Sequence, residues 1–441
     1  MILRLLLILS ISIAARSASA AQTRDQMVLS DRDDVLGGGR WIYNDLKKGL
    51  EEAGRDGKPL LVVLRCVPCV ACAAFDGQVL RYDEELQKLM EKFVRVRIVQ
   101  ANALDLSLFQ FDTDVSFAAF FLNANRTVYG RYGTRSDRQQ AEKDITMEGF
   151  RAALAGALKL HQGYPTNQES LRGKQPLPVK IRTPEQYPAL AVKYSATLDY
   201  TTGKVAASCI HCHQLGEAQR KLFRAERQPI PDESLHPWPM PEVVGLFLDP
   251  KTRATVSQVA PGSAAARAGF RTGDEIVSLE NQPLLSIADA QWILHHASAP
   301  ASLNAVVQRS GGTQKLEMNL EKEWRRHSDI SWRVSTWDLR RMATGGLVFK
   351  DLTTEERRVA GLGETALGLR VDFVGQYNDH AAGKRAGFLK NDVLVECDKL
   401  EGRMSESQLI AHLLQKRMPG DHVPAVILRG GKRLEMELPM Q

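Results

Sequence analysis

Pro59-Leu60-Leu61-Val62-Val63-Leu64-Arg65-Cys66-Val67-Pro68-Cys69-Val70-Ala71-Cys72 sets a continuous apolar run directly ahead of three cysteines. An unbroken run of this length, without polar alternation, predicts a strand buried on both faces. On its N-terminal side Ile42, Leu46 and Leu50 share one helical face, which Gly54, Gly57 and Pro59 bring to an end. On its C-terminal side a helical stretch covers Glu85–Phe93. Val94, Val96 and Ile98 then alternate with Arg95 and Arg97, and the runs Phe117–Leu122 and Thr127–Tyr132 flank the turn Asn123–Arg126. A last helix carries Met147, Phe150, Leu154 and Leu158 on one side. Helix, buried strand, cysteines, helix, strand, hairpin and helix describe a compact α/β unit over residues 38–164.

The chain of 441 residues is too long for one core and predicts about three domains. With 44% hydrophobic and 25% charged residues it is globular rather than disordered or multiply membrane-spanning. A net charge of +6 without a basic block gives nucleic-acid binding little electrostatic support. In residues 1–20, Arg4 precedes the apolar run Leu5–Ala15, and Ala18-Ser19-Ala20 closes the segment as an A-x-A cleavage site. This reads as a secretory signal, which predicts an exported, periplasmic or envelope-associated protein with no span left after cleavage. Export matters for six cysteines, since an oxidising compartment permits disulfides and covalent haem chemistry.

Residues 165–241 are dense in proline, which predicts neither long helices nor central strands. They carry Cys209-Ile210-His211-Cys212-His213, the C-x-x-C-H pattern of c-type haem attachment. Two thiols would form thioethers to haem, His213 would be the proximal ligand, and Met240 would be the leading distal candidate with His236 as the alternative. A small cytochrome c-like unit is therefore one expectation. A disulfide between Cys209 and Cys212, or a zinc site using His211 or His213, are the others.

The remaining chain repeats itself. Arg267-Ala268-Gly269-Phe270 followed by Asp274 recurs as Arg385-Ala386-Gly387-Phe388 followed by Asp392, each leading into an apolar strand. Upstream lie Gly245-Leu246-Phe247-Leu248 and Gly368-Leu369-Arg370-Val371, and downstream lie helices at Gln291–His296 and Gln408–Leu414. The two copies, 242–322 and 361–441 about a linker 323–360, resemble the PDZ domain in its bacterial arrangement. The resemblance implies that a partner's C-terminus adds as a strand beside Phe247 or Arg370, its carboxylate held by the Gly245-Leu246 loop or by Gly368 and Leu369. In the second copy Asn391 replaces Gly273 and the entry loop is shorter, so the first copy is expected to bind more tightly. Scaffolding without binding is the alternative for each, and Cys397 reads as core.

The stretch 59–72 resembles the thioredoxin family, where a buried strand delivers a C-x-x-C to a helix N-terminus. The helix dipole and unpaired N–H groups there lower the first thiol's pKa. The resemblance implies that Cys69 attacks a disulfide and Cys72 resolves it, with Cys66 a third partner through the overlapping Cys66-Val67-Pro68-Cys69. A structural disulfide or a three-cysteine metal site are the alternatives. The order of leader, thioredoxin-like unit, C-x-x-C-H segment and two PDZ units is similar to the bacterial Trx7/PDZ domain-containing (seleno)proteins. The fold class is multidomain α/β plus α+β. The expected function is an exported thiol-disulfide or electron-transfer protein whose PDZ units dock partner peptides; its rival is a non-enzymatic periplasmic adaptor. Neither G-x-S-x-G nor H-E-x-x-H occurs, which disfavours serine- and zinc-protease readings.

Overall fold

A computed structural model describes residues 22–65, 67, 84–115, 117–137 and 144–441. The leader 1–20 and Cys66, Cys69 and Cys72 lie outside the described residues. The first sheet runs β1 (Ile42–Tyr43), β3 (Val94–Ile98), β2 (Leu60–Arg65), β4 (Phe117–Leu122) and β5 (Val128–Tyr132) in spatial order. β2 lies at its centre, parallel to β3 and antiparallel to β4, and all six of its residues are buried. The apolar run predicted this. Helices α1 (Arg24–Gly37), α2 (Leu46–Asp56), α3 (Glu84–Met90) and α4 (Met147–Gln162) accompany the sheet. Phe150 of α4 meets Phe117 edge to face at 6.0 Å.

Ile42 does not share a helix with Leu46 as expected. It sits in β1, because Asp45 starts α2 by accepting the Lys48 N–H at 2.9 Å, and Gly57 ends it in the left-handed region at φ 63°. The proline-rich segment also differs from expectation. Its prolines bracket a proline-free interval, 189–228, in which α5 (His213–Ala225) forms a regular helix.

The repeat is geometric as well as sequential. The first copy contains β6 (Leu246–Leu248), β7 (Val256–Val259), α6 (Ala264–Ala268), β8 (Glu275–Leu279), α7 (Ile287–His296), β9 (Ala301–Arg309) and β10 (Gly312–Leu320). Ahead of the second copy stands α8 (Thr336–Thr344). The copy follows as β11 (Leu347–Asp351), β12 (Leu369–Val374), α9 (Ala382–Arg385), β13 (Val393–Cys397), α10 (Glu406–Lys416), β14 (His422–Arg429) and β15 (Lys432–Pro439). β6 pairs with β7 through Leu246↔Val259 and Phe247↔Gln258, then shifts register before Leu248↔Val256. β11 pairs with β12 through Leu347↔Val374 and Val348↔Phe373, then shifts before Phe349↔Val371. The same bulge recurs at the same place.

This register corrects the second copy's edge. Leu369 pairs with Asp351 on one side and Leu394 on the other, so Gly368 and Leu369 open a central strand to which no peptide can add. The equivalent of Gly245-Leu246-Phe247-Leu248 is Gly346-Leu347-Val348-Phe349, inside the stretch expected to be linker. Gly245 and Gly346 both take left-handed backbone, φ 80° and 85°. A longer connection between β11 and β12, holding the helix Thr354–Val359, separates this edge from the repeated Arg-Ala-Gly-Phe.

In both copies a buried aspartate ties the turn to a distant strand. Arg309 brackets Asp274 with two bonds of 2.6 Å and donates to the Gly269 carbonyl; Arg429 brackets Asp392 with two of 2.7 Å and donates to the Gly387 carbonyl. Such a bidentate pair fixes both the loop and the strand register.

Candidate functional site

Three elements bring charged side chains together at the end of β2. β2 ends at Arg65, next in sequence to Cys66. The Arg65 guanidinium lies 3.9 Å from Asp31 of α1, and Arg97 at the end of the neighbouring β3 donates to the same carboxylate through Nε at 3.2 Å. Two guanidiniums and one carboxylate thus lie at the C-terminal end of β2. Val67, between Cys66 and Pro68, is buried against Val28, Val99, Leu198, Val205 and Cys209. Val67 and Cys209 thus share one hydrophobic cluster.

The C-x-x-C-H segment is held on the thioredoxin-like sheet by Asn102, a residue that motif reasoning did not single out. Its Nδ2 donates to the carbonyls of Ser195 and Ser208, its Oδ1 accepts the Ile210 N–H at 2.8 Å, and Ala101 N–H donates to the Ile210 carbonyl. Asp25 of α1 accepts the Ala206 N–H at 2.7 Å. Cys209 and Cys212 carry free thiols. Burial pushes the Cys209 thiol up to about 11. Burial, then the neighbouring Cys209, pushes Cys212 up to about 12. His213 Nδ1 sits 2.9 Å from Glu217 Oε1 within α5, and burial followed by nearby His213 lowers His211 to about 4.

Covalent haem would need both sulfurs and His213 to face one haem-sized opening. Cys209 instead packs with Val28 and Val67, while Cys212 packs on the separate core around Leu60 and Ile210. The cleft of about 640 Å³ beside α5 is lined by Leu215, Gln219, Leu222 and Phe223 and by neither cysteine. Met240 belongs to the core of the first repeat copy, with its Sδ 3.0 Å from the Thr134 hydroxyl, and His236 is fully buried. The residues as folded do not fit a covalently attached haem. Among the described residues no three His, Cys, Asp or Glu side chains converge to hold a metal ion, so a metal role for His213 lacks companion ligands there. Cys397 is core, as expected, and burial raises its thiol to about 12.

In each repeat copy the glycine-led edge strand and the long helix pack into one core. In the second, the Phe349 N–H, which an added strand would need, donates to Glu406 of α10 at 2.8 Å. Arg340 of α8 clamps the same carboxylate, its Nε at 2.9 Å, and Ser407 accepts the Ile330 N–H. Ile330, Leu339, Met342 and Ala343 are continuous with the core of that copy.

In the first copy the neighbour is the thioredoxin-like unit. Asp289 of α7 accepts the Arg131 N–H of β5 at 3.1 Å and the Leu285 N–H at 2.9 Å, and lies 2.7 Å from Lys174 Nζ. Ser286 donates to the Arg131 carbonyl, and the Arg131 guanidinium lies over the Trp292 ring, 3.7 Å from its centroid. The Thr134 hydroxyl is 2.6 Å from Gln291 Oε1. Just ahead of β6, Thr134 also touches Met240; just beyond it, Thr146 donates to the Pro250 carbonyl at 3.1 Å. Beside these contacts Glu242, in the turn Pro241–Val244, is half-buried, its buried Oε2 has no hydrogen-bond partner among the described residues, and burial, with nearby Asp144, raises its carboxyl to about 7.

The thioredoxin-like family matches residues 41–124, and the PDZ domain family matches residues 255–309. The chain therefore contains a thioredoxin-like domain and a PDZ domain, with mixed α/β content. Metalloprotease MmpA of Caulobacter vibrioides is 36% identical over 98 residues, a span that is 22% of this chain and 24% of that protein. The chain thus spans about a quarter of the length of that curated relative. Among solved structures, the HtrA-type protease AlgW with a decapeptide is 21% identical over 32% of this chain and 50% of that chain, at a TM-score of 0.20. The same protease with a tripeptide is 20% identical over 32% of this chain and 53% of that chain, at a TM-score of 0.19. No helix among the described residues is long and apolar enough to cross a membrane.

Proposed function

We propose that this chain is an exported thiol-disulfide protein of the Trx7/PDZ (seleno)protein type, in which the thioredoxin-like unit does the chemistry and the PDZ-type repeats position partners. The carrying observation is that the fully buried central strand β2 ends at Arg65, which lies by Asp31 together with Arg97 and is followed in sequence by the three cysteines. In this reading the Cys69 thiolate attacks a partner's disulfide, forming one S–S bond and releasing the partner's other sulfur as a thiolate. Cys72 then attacks the mixed disulfide, releasing the reduced partner and leaving Cys69–Cys72 oxidised. Cys66 is the alternative resolving thiol. Cys209 and Cys212, with raised thiol pKa values, are structural rather than nucleophilic. The second repeat copy is a second PDZ-type unit that begins near Gly346 rather than Gly368. The apolar segment 5–15 behind Arg4 supports export.

Insulin-disulfide reduction by purified protein with dithiothreitol as the electron donor, compared with Cys69→Ser, tests the reading. Turnover by the wild type alone is expected; equal rates would favour a non-enzymatic adaptor. Alkylation at graded pH should label Cys69 first and leave Cys209 and Cys212 unmodified near pH 8. Faster labelling of Cys66 would shift the nucleophile by one motif.

A further inference from the structure

We infer that the thioredoxin-like unit is a removable occupant of the first PDZ groove, so that a partner peptide reaches Gly245–Leu248 only when the two units part. The inference rests on reading that edge as the peptide-binding one, and adds how access to it is controlled.

The position of the contacts comes first. A peptide in this groove would lie between β6 and α7. The thioredoxin-like unit touches α7 along Ser286, Asp289, Gln291 and Trp292, and reaches Met240 before β6 and Pro250 after it. The helix side is therefore engaged directly, and the strand side through the residues that flank β6. The exchange is mutual, because β5 is the edge of its sheet and Asp289 and Ser286 satisfy the outward N–H and carbonyl of Arg131.

The chemistry of the seam makes it separable. Permanent interfaces resemble a domain core, with charged groups depleted, whereas contacts that open and close are more polar. This seam contains Arg131, Asp289, Gln291 and, from the segment 165–241, Lys174, with Asp144 and Glu242 at its margin; Trp292 and Met240 of the first copy's core border it, but the two cores remain separate clusters. Leu285 is the first-copy residue that joins a thioredoxin-like cluster. Glu242 carries a buried oxygen without a partner, a defect that parting would relieve by hydration.

The closeness of the surfaces supplies a test. Gly149 of α4 has no side chain because the Pro250 carbonyl occupies that space, and a Cβ on Gly156 would press on Leu285. Alanine is a better helix former than glycine, so Gly149→Ala leaves α4 sound and puts its cost on the seam. Gly156→Leu is the second wedge.

The experiment uses the full chain with a fluorescent decapeptide pool, randomised near a free C-terminus, and the same pool amidated as control. Hydrogen exchange in 128–132 and 287–296 reports whether the units have parted. The expected result is faster exchange in both segments and at least tenfold tighter carboxylate-dependent binding for the wedge variants. Wild-type binding as tight as theirs would overturn the gate while leaving the peptide reading intact. Faster exchange with no binding by any variant would sink the peptide reading, and the gate with it. Unchanged exchange in both wedges would show the seam to be permanent and would also overturn the inference.

Discussion

The two repeat copies share a frame but are closed by different materials. Each has a left-handed glycine leading an edge strand, a bulge two residues on, and a buried aspartate bracketed by an arginine. In the second copy α8, the helix immediately preceding its edge strand, packs against the strand and the long helix, and its Leu339, Met342 and Ala343 extend the core. In the first, a separate unit supplies charged and hydrogen-bonding side chains. A duplicated fold can therefore hold one groove as interior and the other as an interface, the difference lying in what the chain places just outside each copy.

The sharpest way to break this comparison is to remove one cation from each closure. Arg340→Met leaves the buried Glu406 carboxylate with the Phe349 N–H as its remaining bond. Breaking a buried pair on one side costs about 3–5 kcal/mol. Lys174→Met breaks a pair that is also buried but leaves Asp289 with two backbone N–H donors, so a cost at the low end of that range, about 3 kcal/mol, is expected. Urea denaturation followed by hydrogen exchange should show the first variant loosening 347–439 and the second affecting the seam alone. Loss of both regions together would mean that the two closures are of one kind.

Proton linkage distinguishes the closures next. Burial, and then Asp144, holds the Glu242 carboxyl at about 7 when the seam is closed, against an ordinary 4.5. Asp144 is itself raised by burial, against its bonds to Ser136, and Asp137 and Arg135 flank it. An acid whose pKa is raised in the closed state favours closure in its neutral form. That advantage is complete below pH 4.5, declines between 4.5 and about 7, and is lost above. The shift corresponds to at most about 3 kcal/mol. Peptide affinity should therefore rise from pH 5 to pH 8 in the wild type, and Glu242→Gln should flatten the slope. A slope retained in the variant would place the titrating group elsewhere.

The thioredoxin-like half was largely legible because its strands are apolar runs and its breaks are glycines and prolines. The failure at Ile42 was local, since a side-chain cap at Asp45 outweighed a continuing periodicity. The edge of the second copy was misplaced because Gly368-Leu369 stands nearer the repeated Arg-Ala-Gly-Phe than Gly346-Leu347 does. Only pairing distinguishes an edge from a central strand. The comparison of Gly245-Leu246-Phe247-Leu248 with Gly346-Leu347-Val348-Phe349 was available, as was the shared Leu-Glu-Met of β10 and β15. Asn102, Asp289 and Lys174 gave no signal, because their partners are distant in sequence and belong to no motif. C-x-x-C-H was visible as a pattern, but which way its thiols face depends on packing that the pattern does not encode.

The smallest expected effect bears on the residue that made the second copy look weaker in sequence. Gly273 and Asn391 both lie in left-handed backbone, at φ 88° and 72°, and both donate their N–H to the bulge strand, to Val256 O at 2.8 Å and Val371 O at 2.9 Å. Nothing stands within 4 Å of a Cβ placed on Gly273, so substitution there tests backbone preference without a clash. A left-handed residue with a Cβ costs about 1–2 kcal/mol, and asparagine is among the side chains that tolerate the region best. Gly273→Ala should cost about 1 kcal/mol or more, and Gly273→Asn less than half as much. Asn391→Ala should reproduce the difference in the second copy. If Gly273→Asn costs as much as alanine in urea denaturation, the turns are not equivalent, and the second copy carries a strained loop that its matching hydrogen bonds conceal.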